Sequence, residues 1–250
     1  MRISVIGNSD TTGMLLQPGE KTWPTLLQER LGESLGEPVV VDNWRFVPYR
    51  PGAVERALGL VTEAQPDFVI LTLASFWCAF GTVRARVERR FGRRAARFYT
   101  RAEQAFSRSV ERGGRTGQSA NAIGRRTARR IIGTSTPMSV DQFIEVYSTL
   151  IRTLSQREQL QVLVLGDHHY TAWVRRAMPA IEPAIARIQA AIQPIVVERK
   201  LRWGDLEAAL SAGGRREEMI TWDGVHMTAE AHERGAAALL PTLVEFATHA

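Results

Sequence analysis

The chain has 250 residues, 44% of them hydrophobic and 23% charged, which is enough to bury one substantial core and argues against a disordered chain. Its apolar runs, such as Phe68 to Leu71, have the length of a core strand, whereas a membrane span needs about 18 or more consecutive apolar residues. The formal net charge of +6 is unevenly placed, because Arg84 to Arg130 holds fifteen arginines against Glu88, Glu103 and Glu111, leaving the rest of the chain acidic. A basic segment of this kind is either a solvated helix face or a docking surface for an anionic partner, nucleic acid or an acidic lipid surface. One cysteine, Cys78, rules out an internal disulfide. With Arg2-Ile3-Ser4-Val5-Ile6-Gly7 at the start leaving no room for a secretory leader, the expected compartment is the cytoplasm.

In chain order, five β-branched or aliphatic runs are expected as strands: Ile3 to Ile6, Pro38 to Val41, Phe68 to Leu73, Leu160 to Leu165, and Pro194 to Val197. Helical patterns separate them, at Thr22 to Leu35, Ala53 to Ala64, Ser139 to Ser155 and Trp173 to Ile192, with a last helix from Thr228 to about Phe246. Strands alternating with helices predict an α/β fold, a parallel five-stranded sheet covered on both faces in a three-layer α/β/α sandwich. Between the third and fourth strands Val83, Val87, Phe91, Ala95, Phe98, Ala102, Phe106 and Val110 recur at helical spacing, the apolar face of a basic amphipathic helix. Gly113-Gly114 then opens a Gly/Ser/Arg stretch that reads as a loop. Residues 82–137 hold too few apolar residues for a second core, so the expectation is one domain over 1–250 with a basic insertion at about 82–137.

In an open parallel sheet ligands bind beyond the carboxyl ends of the strands, so the residues just after each strand matter most. Gly7-Asn8-Ser9-Asp10-Thr11-Thr12-Gly13 follows the first strand. It lacks the lysine of a phosphate loop and the glycine spacing of a dinucleotide loop, which leaves a turn with a helix cap or a serine projecting into the crevice. Trp222-Asp223-Gly224-Val225-His226-Met227-Thr228 precedes the last helix. A serine hydroxyl attacks only when a base takes its proton, and an imidazole acting as that base needs a carboxylate to set its tautomer. Asp223 and His226, three residues apart, can meet that need for a distant Ser9.

Gly-Asn-Ser-Asp near the amino terminus and Asp-Gly-Val-His-Met-Thr-Ala-Glu-Ala-His near the carboxyl terminus resemble the first and fifth conserved blocks of the SGNH/GDSL hydrolase superfamily. The resemblance implies a flavodoxin-like fold, Ser9 as nucleophile, His226 as general base and Asp223 as its partner, with no cofactor. It also implies oxyanion-hole donors from a glycine after the second strand and an asparagine after the third. Here the third strand runs into Ala74-Ser75-Phe76-Trp77, with Phe76 in the asparagine's place, and Asn43-Trp44-Arg45 follows the second strand without the glycine. Asn43, Arg45 and Ser75 are therefore the candidate oxyanion or substrate residues, Arg45 suiting an anionic substrate group.

Asp167-His168-His169 follows the fourth strand. With Asp223 and His226 these could in principle ligate a metal, but the simpler reading makes His168 or His169 a pocket residue and the other a packing or capping one. The leading function is an esterase, thioesterase or deacylase working on a small acyl ester through an acyl-enzyme. Two others stay open: an acyltransferase with the same residues, and a catalytically weakened SGNH-fold binding protein that docks an anionic partner through its arginine-rich insertion.

Overall fold

Runs of Val, Ile, Leu and Phe buried on both faces make the centre of a parallel sheet, and these supply it here. The computed structural model describes residues 1–111, 134–212 and 216–249. Five strands, β1 (Arg2–Gly7), β2 (Val40–Arg45), β3 (Phe68–Thr72), β4 (Gln161–Leu165) and β5 (Arg202–Gly204), pair in parallel in the order β2-β1-β3-β4-β5. The chain steps from β1 outward to β2, then returns past β1 to β3, so the strand order reverses beside β1. Such a reversal opens a crevice at the carboxyl end of the strands.

The side-chain period of two sorts the layers. Ile3 and Val5 of β1, Phe68 and Ile70 of β3, and Leu163 and Leu165 of β4 enter one cluster with helix α1 (Trp23–Leu35), the short α8 (Leu206–Ser211) and the last helix, α9 (Ala229–His249). The alternate residues Ile6, Val69, Leu71, Val162 and Val164 are buried outside that cluster. The opposite layer holds α2 (Ala53–Ala64), α5 (Val140–Leu154) and α7 (Ile181–Glu198), where the Tyr147 hydroxyl donates to the Thr72 carbonyl at 3.2 Å. The described residues contain no helix long and apolar enough to cross a membrane.

Three expected elements around the sheet differ. The second strand runs over Val40–Arg45 and not Pro38 to Val41, so Asn43 and Arg45, expected after the strand, lie within it. Pro194 to Val197 is the end of α7, not the fifth strand, because Ile181, Ile185, Ile188, Ile192 and Ile195 recur at helical spacing and are all buried. The fifth strand is the three-residue Arg202–Gly204, too short and polar to show a period of two. Nor does one helix span Trp173 to Ile192: α6 (Ala172–Ala177) ends at Met178, whose backbone leaves the helical region ahead of Pro179, as residues before proline do.

The chain divides into two compact units, Met1–Ser75 with Val140–Ala250, and Phe76–Ser139. The second contains α3 (Phe76–Ala79) and α4 (Val83–Glu111), and Thr82 pairs with Ser135 through two reciprocal backbone hydrogen bonds of 2.9 and 3.2 Å. The expected basic helix is interrupted at Gly92, with φ 81° and ψ 174°. Val83 and Val87 are buried ahead of the break and Ala96 beyond it, while Phe91, just before the break, and Phe98, after it, both expected on the same apolar face, are 63% and 76% exposed. The loop expected from Gly113 lies, up to residue 133, outside the described residues.

Candidate active site

At the end of β1 the chain turns so tightly that a Cβ on Gly7 would lie 2.1 Å from the Thr11 side chain. Beyond it the loop is closed by its own side chains. Asp10 N–H donates to Asn8 Oδ1 at 2.9 Å, and the Thr11 hydroxyl to the Asn8 carbonyl at 2.9 Å. The N–H groups of Thr12 and Met14, each at 3.2 Å, and the Thr12 hydroxyl at 3.1 Å all converge on the Ser9 carbonyl. That fixes the Ser9 backbone at the strand reversal.

The partner turn is built just as tightly. Gly224 has φ 75°, the left-handed region that favours glycine, and a Cβ there would meet Thr171 Oγ1 at 2.4 Å and a Val174 methyl at 2.5 Å. Thr221 N–H donates to the His226 carbonyl at 2.7 Å and closes the turn. Asp223 Oδ1 accepts from the Thr221 hydroxyl (2.7 Å) and from the N–H groups of Val225 (2.9 Å) and His226 (3.0 Å). Its Oδ2 faces His226 Nδ1 at 2.5 Å, and His226 Nε2 faces Ser9 Oγ at 2.9 Å across 217 positions of sequence. Asp10 joins the two turns, accepting the Met227 N–H at 3.2 Å.

Electrostatics follow from these contacts. Burial opposes ionisation of Asp223, but the hydrogen bonds from His226, Thr221 and Val225 outweigh it and hold the carboxyl well below the usual carboxylate range. Burial likewise pushes His226 down, yet its hydrogen bond to Asp223 and the charges of Asp10 and Asp223 leave it above the ordinary histidine value. The arrangement can therefore accept a proton from the Ser9 hydroxyl and hold it beside an ionised carboxylate.

A sequence profile of the GDSL-like lipase/acylhydrolase family matches residues 5–234, nearly the whole chain. The chain belongs to that family. Membership makes it an esterase acting on ester substrates. Among solved structures it is similar to TesA, at TM-score 0.57 and 18% identity over 98% of this chain and 99% of that one. A lipase/acylhydrolase from Enterococcus faecalis gives TM-score 0.61 and 16% identity over 97% and 94%, and the acetyl xylan esterase AlAXEase gives 0.57 and 14% over 97% and 100%. At such identities these likenesses speak for the fold. A comparison with curated proteins finds no match.

Against this family background, the remaining expected residues are placed as follows. Asn43 donates its side-chain N–H to the Thr11 carbonyl, bracing the Ser9 loop, while its buried Oδ1 has no partner among the described residues. Ser75 donates both N–H (2.6 Å) and hydroxyl to Asp167 Oδ2. Asp167 is itself buried, and desolvation raises its carboxyl despite the opposing pull of His168 and the Ser75 bonds. His168, 3% exposed, packs its Nε2 against the Val225 carbonyl at 2.9 Å inside the Asp223–His226 turn, so it supports that turn. His169 points elsewhere, pairing through Nδ1 with Glu182. Among the described residues no group of three or more His, Cys, Asp or Glu is arranged to hold a metal ion. Arg45 is exposed at the end of β2, beside Arg50 and Arg56.

Sequence reasoning missed the joining role of Asp10, the Ser75–Asp167 contact and His232, whose Nδ1 accepts the Trp23 N–H at 3.2 Å. Adjacency to Ser9 was a signal for Asp10. Nothing local in the sequence marks the other two, whose partners lie 92 and 209 positions away.

Proposed function

We propose that the chain is a serine hydrolase that cleaves ester, thioester or related acyl bonds through an acyl-enzyme on Ser9. The observation that carries this reading is the continuous relay from Ser9 Oγ to His226 Nε2 at 2.9 Å and from His226 Nδ1 to Asp223 Oδ2 at 2.5 Å. With the Nδ1 proton donated to Asp223, Nε2 is the basic nitrogen. As Ser9 Oγ bonds to the acyl carbon its proton passes to Nε2, and the same proton then goes to the departing alcohol or thiol. Water attacks the acyl-enzyme in the second half, gives its proton to Nε2, and Ser9 regains a proton as the acid leaves.

The developing oxyanion meets a sparse donor set. One N–H of the Asn43 amide goes to the Thr11 carbonyl, Ser75 donates to Asp167, and Phe76 has no side-chain donor. The backbone N–H of Ser9 is the donor we assign. Each missing donor of this kind costs about a hundredfold to a thousandfold in turnover, so slow hydrolysis of simple esters is expected.

We place the protein in the cytoplasm, a reading supported by the single cysteine, which allows no internal disulfide. We treat residues 82–137 as an insertion in one domain, supported by the sheet-bearing unit being assembled from both sides of the segment.

A fluorophosphonate probe tests the mechanism. It should label the wild type and not Ser9→Ala, and release of p-nitrophenol from short-chain esters should disappear with the label. A folded wild type that takes no label would sink the acyl-enzyme reading in favour of a binding protein.

A further inference from the structure

Where β2 ends, a cleft of about 160 Å³ is lined by Arg45, Arg50 and Arg56 together with Trp44, Phe46 and Leu60. Among the described residues no acidic one lines it. Among the described residues none of the three guanidinium groups is in an ion pair, and the hydrogen bond they make is from Arg56 Nη1 to the Pro51 carbonyl at 2.7 Å. Three cations brought together with none of them paired to a carboxylate repel one another, a cost that an anion relieves. The amino end of α2 adds to the field, since Ala53 also lines the cleft and Gly52 at the cap offers no side-chain acceptor, with Glu55 the acid in that first turn. Guanidinium forks match the oxygens of phosphate or carboxylate, and the adjoining aromatic and aliphatic side chains suit a flat apolar body.

The cleft is also close to the nucleophile. Gly7 of β1 is in register with Arg45, and the pairing continues in a hydrogen bond of 2.6 Å from Phe46 N–H to the Gly7 carbonyl. Neighbouring strands lie about 4.8 Å apart and consecutive Cα atoms about 3.8 Å apart, so the Cα of Ser9 is within roughly 12 Å of that of Arg45. A single small molecule can span this.

We propose that the cleft binds a phosphate or carboxylate carried on an apolar, preferably aromatic, body, and that it holds the acid-bearing part of the ester while Ser9 attacks the acyl carbon. The first half stands on the cleft alone, whereas the second rests on the Ser9 hydrolase reading.

Calorimetric titration of the wild type with phenyl phosphate and with benzoate tests the first half without any turnover. Binding of one or both is expected, weakened at least tenfold in an Arg45→Ala, Arg50→Ala double variant, and the tighter ligand tells phosphate from carboxylate. Both arginines are exposed, so the fold is not at stake, and Arg56 is kept because it holds the Pro51 carbonyl. No binding by either ligand, or equal binding by the variant, overturns the proposal. For the second half, kcat/KM is compared for 4-acetoxybenzoate and phenyl acetate. The wild type should prefer the anionic ester, and the double variant should lose that preference at least tenfold; an unchanged ratio removes the substrate role. Arginine-dependent ligand binding with neither ester hydrolysed leaves the cleft standing and sinks the hydrolase reading instead.

Discussion

Asp223 receives four hydrogen bonds, three at Oδ1 and the imidazole at Oδ2, so its two oxygens do different work. Oδ1 shapes the turn and Oδ2 sets the tautomer. In Asp223→Asn the turn can keep its acceptor, but an amide NH2 facing Nδ1 drives the imidazole proton to Nε2, where it confronts the Ser9 hydroxyl with a donor. A loss in kcat on the order of 10⁴-fold is expected, with KM little changed and the far-UV circular dichroism unaltered. The pH profile belongs to this scale as well. In the proposed mechanism His226 must be neutral to act as base, and its pKa lies above the ordinary value, so the acid limb of kcat/KM should lie above about 6.5. Asp10 helps to raise it, so Asp10→Asn should move that limb to lower pH; a limb that stays in place would show that Asp10 serves the turns and not the imidazole.

At the scale of elements, α1 begins with its orphan N–H groups met from two directions. Thr22 at the cap accepts the Thr25 N–H, and His232 of α9 accepts the Trp23 N–H. His232 can do so only while Nδ1 is unprotonated, and burial pushes its pKa down to about 4. The unfolded chain takes up this proton below pH 6.5 and the folded chain does not until near 4, so stability falls as the pH drops through that window. The loss from this group is roughly 3 kcal/mol. His232→Asn, which retains an acceptor for Trp23, should flatten the dependence of unfolding free energy on pH between 6.5 and 4 in urea titrations. An unaltered slope would assign the acid sensitivity to other groups.

At the scale of the molecule, all five strands belong to the unit that resumes at Val140, and the long intervening segment starts and ends at a paired Thr82 and Ser135. Residues exchanging both backbone hydrogen bonds have Cα atoms about 5.5 Å apart, a gap that a two-residue turn closes. Replacing residues 83–134 by Asn-Gly should therefore leave a protein with cooperative thermal unfolding and intact α/β circular dichroism. A variant that no longer folds would make the basic segment part of the core and end its description as an insertion.

The α/β class, the parallel sheet and four of its strands were legible in the sequence because β-branched runs and helical periodicity are local signals. Local pattern failed where two periods compete, as at Pro194 to Val197, and where a glycine interrupts the helix, as at Gly92. Short motifs at strand and helix ends, and the family resemblance they carry, pointed to Ser9, Asp223 and His226 as the residues that the proposed mechanism uses. Contacts across 92, 209 and 217 positions were another matter. Only the tertiary structure decided that Ser75 serves Asp167, that His168 supports the His226 turn, and that Arg45 has Arg50 and Arg56 for company. A side chain's type limits what it can bond to, but which partner it meets depends on how the strands and helices pack.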